Sequence, residues 1–182
     1  MSSADLELTP GDYAFLGMVG MGAQTAYQVK KLMAGSVSFF WNAAHSQVYQ
    51  QAARLVRDGY VREREEAGGR RRRILSLTAK GRLALRRWLT TPSEPLQLRD
   101  EMLVKVFFAV DAGDYDATAR MLENLRATYR GILEEFLAIE QGLSTHEDDR
   151  ARDQALTVGL GIRVMEAYLS WLGEAANAIR AR

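Results

Sequence analysis

Residues 41–61 read Trp-Asn-Ala-Ala-His-Ser-Gln-Val-Tyr-Gln-Gln-Ala-Ala-Arg-Leu-Val-Arg-Asp-Gly-Tyr-Val, and residues 62–77 continue Arg-Glu-Arg-Glu-Glu-Ala-Gly-Gly-Arg-Arg-Arg-Arg-Ile-Leu-Ser-Leu. The first part has a helical period. Val48, Ala52, Leu55 and Val56 fall on one face with Tyr49 at its edge, while Gln47, Gln50, Gln51, Arg54 and Arg57 fall on the other. Asp58-Gly59 is a helix stop, because glycine enters the left-handed region without steric cost. Two strand-like runs follow, 60–66 and 70–77, joined by Ala67-Gly68-Gly69. A glycine pair supplies the positive φ of a tight hairpin. A short helix with an amide-rich outer face, then a hairpin with an arginine tip, is how a winged helix-turn-helix addresses DNA. The helix reads base edges in the major groove, and the arginines neutralise flanking phosphates.

Moving outward, Thr9-Pro10 is a helix start, with Thr as N-cap and Pro at the first helical position. Tyr13, Leu16, Gly17 and Gly20 follow at helical spacing, and the region Gly20–Gly22 ends the helix. Thr25 caps a second helix that ends at Gly35. Segment 36–42 carries Phe39, Phe40 and Trp41, aromatic surface that must pack against something. Beyond the hairpin, Thr78 caps a helix over 79–90 with Leu83, Leu85, Trp88 and Leu89 as its apolar positions. Residues 91–95, Thr-Pro-Ser-Glu-Pro, cannot continue it. The expected organisation is a tail (1–8), a winged domain (9–90), a linker (91–98) and a helical domain (99–182).

That last domain reads as all helix. A short helix covers about 99–110. A long one, capped by Asp114, runs to about Gln141 with an apolar stripe of Ala117, Met121, Leu125, Tyr129, Ile132, Phe136 and Ile139. A polar break, 142–149, precedes a final helix to about Ile179. Along it Val158, Ile162, Met165, Leu169, Leu172, Ala176 and Ile179 alternate by four and three residues, a coiled-coil-like seam assigned here to dimerisation. A second stripe, Leu160, Val164, Trp171, Ala175 and Ala178, lies elsewhere on the same helix. A helix apolar on two faces is buried on two faces.

Composition bounds the function. The chain has 182 residues, 47% of them hydrophobic, enough for a sizeable core. It has no cysteine, which excludes disulfides, thiol nucleophiles and thiolate metal sites. The first residues lack a signal peptide's basic and apolar blocks, and no apolar run approaches the ~20 residues of a membrane helix; a cytoplasmic protein with no membrane partner is expected. Net charge is +1, but residues 1–95 hold 14 Lys/Arg against 8 Asp/Glu, and residues 96–182 hold 10 against 15. Only the first half is suited to a polyanion.

These residues resemble the PadR family of bacterial transcriptional regulators. The resemblance lies in Gln47-Val48-Tyr49 with Leu55 and Gly59-Tyr60-Val61, then Leu75-Ser76-Leu77-Thr78 with Gly81, Leu85 and Trp88-Leu89, and in 99–108 as the start of the family's longer C-terminal domain. Ser46 stands where glycine is usual, Gln50 where a small residue or proline is usual, Ala52 for a large apolar residue, and Thr25-Ala26 for a His-Gly pair. The departures leave the fold intact, and the family's DNA sequence is not carried over with it. The resemblance implies a homodimer, repression of a nearby promoter, and often release by a small molecule or stress signal.

Each sharp reading has a bland counterpart. Ser46, Gln47, Gln50, Gln51 and Arg54 contact bases or phosphates, or they form a solvated face; the hairpin behind them favours DNA. Tyr49 is a phosphate donor or a core aromatic, and the sequence does not choose. Of Arg70, Arg71, Arg72 and Arg73, alternation sends one pair to each side, so one pair meets phosphate and the other pairs with Glu63, Glu65 or Glu66. Phe39, Trp41 and Trp88 line an effector pocket or simply pack, and packing is favoured. His45 and His146 have no ligand spacing, no metal or other cofactor is expected, and Gly17, Gly20 and Gly22 form no phosphate loop. The expectation is therefore a mainly α, non-enzymatic, homodimeric repressor: a winged helix-turn-helix with a two-stranded wing, followed by a helical dimerisation domain. Its partners are double-stranded DNA, carrying an inverted repeat, a second copy of itself and a small-molecule effector. The alternative is a helical interaction module whose basic wing binds an acidic partner.

Overall fold

The computed structural model describes residues 8–34, 36, 47–65 and 73–182, without the side chains of Val110 and Ala112. The chain forms two compact units, Met1–Pro95 and Leu96–Arg182.

In the first unit, helices α1 (Pro10–Gly20), α2 (Ala26–Ala34) and α3 (Val48–Arg57) precede strands β1 (Val61–Glu65) and β2 (Arg73–Leu77) and helix α4 (Ala79–Leu89). Thr9 and Asp12 form a reciprocal capping box: Thr9 N donates to Asp12 Oδ2 at 2.9 Å and Asp12 N to Thr9 Oγ1 at 3.3 Å. Thr25 Oγ1 caps α2 by accepting from Gln28 N at 3.1 Å. The apolar faces of α1, α2 and α3 close on one core that includes Phe15, Leu16, Val29, Val48, Leu55 and Val61. Gly59 takes φ 76°, turning the chain from α3 into the hairpin. The strands pair antiparallel, with Val61 opposite Leu77, Glu63 opposite Leu75 and Glu65 opposite Arg73. Within the described residues they cover 61–65 and 73–77 of the runs read from sequence. Ala67-Gly68-Gly69, Arg70, Arg71 and Arg72 lie outside the described residues, as do Phe39, Phe40, Trp41, His45 and Ser46.

The junction into α4 is tight. Thr78 Oγ1 donates to Gly59 O at 2.7 Å and accepts from Gly81 N at 3.0 Å. A Cβ at Gly81 would stand 2.1 Å from Tyr60 O. Backbone cannot yield as a flexible side chain can. Gly81→Ala is therefore expected to destabilise this unit by about 3 kcal/mol, the upper end of overpacking costs. Urea denaturation of the variant measures it; an unchanged midpoint would contradict the close approach.

The second unit contains α5 (Glu101–Phe107), α6 (Ala109–Ala112), α7 (Tyr115–Ser144) and α8 (Asp149–Arg180). Each of α5, α7 and α8 has an aspartate cap: Asp100 accepts from Met102 N, Asp114 from Ala117 N and Asp148 from Ala151 N. The one short helix expected over 99–110 is two, divided at Phe108. Helix α7 runs on to Ser144, past the end expected near Gln141 and into the polar break. Helices α7 and α8 lie along each other, tied by a bidentate pair in which Arg180 donates to Glu123 at 2.6 and 2.8 Å. Ala119, Leu122 and Phe136 are the buried positions of α7; of the stripe read in the sequence Phe136 is buried, Met121, Leu125, Tyr129, Ile132 and Ile139 are half-buried, and only Ala117 is exposed.

One assignment needs correction. The seam given to dimerisation is largely internal. Ile162, Leu172, Ala176 and Ile179 are buried, and Val158, Met165 and Leu169 half-buried, within the chain's own fold. Leu172, Ala176 and Ile179 share a core with Ala119, Leu122 and Met102. A four-three repeat specifies a helical partner without saying whether that partner belongs to the same chain. The apolar residues of α8 left in solvent are others: Leu156 is 76%, Leu160 64% and Val164 38% exposed. No helix among the described residues is long and apolar enough to cross a membrane.

Candidate nucleic-acid interface

Helix α3 has three distinct sides. Val48, Ala52 and Leu55 face the core. Gln47, Tyr49, Gln50, Ala53 and Arg57 are exposed. Between these lie Gln51 and Arg54, and both turn inward to one carboxylate. Gln51 Nε2 donates to Asp12 Oδ1 at 2.8 Å, and Arg54 Nη2 forms an ion pair with the same oxygen. Asp12 is fully buried, and its other oxygen accepts from Thr9 N and Thr9 Oγ1. Burial pushes the Asp12 carboxyl up, but the bonds from Arg54, Gln51 and Thr9 outweigh it and hold the pKa below the ordinary carboxylate value. Gln51 and Arg54, read from sequence as base and phosphate contacts, thus spend their polar ends fixing α3 on the first turn of α1. The period placed them beside the exposed face; the partner that claims them is 39 and 42 residues earlier in the chain.

The exposed side of α3 looks onto a groove shared with α2 and the hairpin, lined by Tyr27, Tyr49, Ala53, Arg57, Glu63 and Arg73. Tyr27 and Tyr49 are 65% and 54% exposed. Tyr49 is therefore not a core aromatic, and its hydroxyl is free to reach a phosphate or base edge. Arg57 Nε donates to Asp58 Oδ1 at 2.9 Å, and Arg73 Nη1 to Glu63 Oε2 at 3.5 Å. The Arg73–Glu63 pair is the cross-strand pairing that alternation allowed for one pair of wing arginines. Tyr27 and Glu63 were not singled out as contacts; alternation along β1 puts Glu63 on the face that bears Leu75, which the hydrophobicity of Leu75 alone could have suggested. Gln47 stands at the exposed N-cap of α3 without a capping bond. Trp88 stacks on Tyr13 of α1 at 4.7 Å and 6°, so of the three aromatics read as an effector pocket the one within the described residues packs on its own unit.

Residues 15–87 match the model of the transcriptional regulator PadR-like family. Over this stretch the chain is PadR-like. The helical half of this PadR-like regulator, residues 98–180, matches a second model, virulence activator alpha C-term. The negative transcriptional regulator PadR of Bacillus subtilis (strain 168) is 25% identical over 169 residues, covering 88% of this chain and 92% of that protein. A probable transcriptional regulator of Mycobacterium tuberculosis is 28% identical over 177 residues, covering 87% and 91%. The Bacillus subtilis PadR structure in complex with operator DNA superposes with TM-score 0.82 at 21% identity, covering 94% of this chain and 99% of that one. The same protein in complex with p-coumaric acid gives TM-score 0.76 at 20% identity, covering 96% and 99%. The mainly helical winged fold and the role of a DNA-binding transcriptional regulator, not an enzyme, follow.

Proposed function

We propose that this regulator is a homodimeric repressor that inserts the exposed side of α3 into the major groove of an inverted-repeat operator and leaves it when a small molecule binds. The carrying observation is the groove of α3 and the hairpin, with two exposed tyrosines and two arginines turned to solvent. Gln47, Tyr49, Gln50 and Arg57 are the α3 contacts in this reading, with Ser46 preceding them. Arg70, Arg71, Arg72 and Arg73 supply wing contacts to phosphate. Repression and effector release take support from the relative's name and from its p-coumaric acid complex, which are properties of that protein.

Selecting duplexes from a random pool with the purified chain tests the proposal directly. The selected DNA should contain two inverted half-sites about one helical turn apart. Retention of no sequence above random would overturn it. Within the selected site, Gln50→Ala should cost about 1–3 kcal/mol against operator and little against random duplex, because a lost bidentate base contact is specific. Equal losses on both would show that Gln50 touches only backbone.

A further inference from the structure

The two arginines of the groove are already occupied. Arg57 is held by Asp58 through two contacts, 2.9 and 3.4 Å, and Arg73 by Glu63 at 3.5 Å. The four charges sum to zero on a surface that would meet a polyanion. Neither carboxylate is where stability would put it. Asp58 is the C-cap of α3, the end at which the helix dipole disfavours an anion. Glu63 sits opposite Leu75, on the face of the hairpin turned to the groove rather than away from it.

We propose that Asp58 and Glu63 stand in for DNA phosphates on Arg57 and Arg73 and thereby suppress binding to random duplex. The inference rests on the reading that this groove faces DNA. The side chains of Arg57 and Arg73 are each 70% exposed, so solvent screens both pairs. They are weak enough for a well-seated phosphate to displace the carboxylate. A phosphate in the operator register is seated by the base contacts of α3. On random sequence no such contacts hold it, and the arginine keeps its internal partner. Binding to random duplex then gains little counterion release from these two residues. The carboxylates act on discrimination more than on operator affinity.

The experiment is a salt titration of the full-length chain on operator and random duplexes, read by fluorescence anisotropy. Glu63→Gln and Asp58→Asn should each tighten random-duplex binding about threefold to eightfold near 0.1 M salt and steepen its salt slope by about 0.9, one phosphate contact. Operator binding should gain less, so the ratio of the two falls. Adding Arg73→Gln to Glu63→Gln should remove the gain. A variant that fails to fold cannot score as a gain. Unchanged or weaker random-duplex binding at an unchanged slope overturns the inference. Arg57→Gln and Arg73→Gln alone separate the two possible failures. If they weaken DNA binding while the neutralised carboxylates gain nothing, only this inference falls; if they change nothing, the groove does not face DNA and the functional reading falls with it.

Discussion

Arg54→Met is expected to cost the winged unit about 3 kcal/mol at pH 7, because it strands the buried Asp12 carboxylate. Breaking a buried ion pair from one side costs about 3–5 kcal/mol. Arg54 keeps 29% of its side chain in solvent while Asp12 has none, so the lower end applies. The bonds from Gln51 and Thr9 remain and soften the loss further. The pH dependence identifies the cause. In the parent chain the Asp12 pKa is depressed in the fold. Its contribution is present above the unfolded value, about 3.9, and is lost as pH falls through the folded value. Without Arg54 the opposing effect of burial is no longer outweighed to the same degree, so the folded pKa rises. The folded variant then binds its proton more readily than the parent, and the stability gap between the two should narrow as pH drops towards 4. Urea melts at pH 7 and pH 4 measure both. A gap independent of pH would mean that the loss is one of packing by the arginine stem. Because Gln51 and Arg54 also fix α3 on α1, operator and random-duplex affinity should fall together in this variant, unlike the selective loss expected for Gln50→Ala.

The capping and turn chemistry was legible in the sequence because it is local. Thr9-Pro10, Thr78, Asp114 and Asp58-Gly59 each announce an end within four residues, and each stands at one in the structure. The core face of α3 was legible for the same reason: Val48, Ala52 and Leu55 repeat at the helical period, and all are buried. What the period cannot show is where a polar flank finds its partner. Gln51 and Arg54 sit one step round the helix from the buried stripe, and only tertiary packing brings Asp12 to them. A signal existed, since Asp12 is the lone charge in a helix otherwise of apolar residues, glycine and proline, three residues after a capping threonine. The second unit misled in another way. Its seam is a sound statement about helix pairing, and α8 does pair along much of it. The partner is α7 of the same chain, connected by a loop short enough to make that pairing entropically cheap.

Leu160→Asp, the other large effect, is expected to dissociate the protein without unfolding it. Of the second apolar stripe read on α8, Trp171 and Ala175 pack against the unit's own core, while Leu160 and Val164 stay exposed with Leu156, which was not read as part of it. Leu172, Ala176 and Ile179 fill the unit's own core. Leu156, Leu160 and Val164 follow one another at four-residue spacing and stay exposed, with no residue of the described structure covering them to the extent seen in that core. Leucines this exposed, in a row, mark an interaction face, and the proposed dimer supplies its cover by two-fold symmetry. A carboxylate placed there is solvated in the monomer and buried unpaired in the dimer, a difference of several kcal/mol. Light scattering should therefore report a monomer, with the helical circular dichroism intact. Operator affinity should drop by about 10²–10⁴, because the second half-site is no longer held at high effective concentration, while binding to an isolated half-site should hardly change. Leu172→Asp is the contrast: the same charge at a fully buried position should unfold the helical unit. If Leu160→Asp remains a dimer at micromolar concentration, the exposed row is not the interface, and the symmetric operator loses its structural basis.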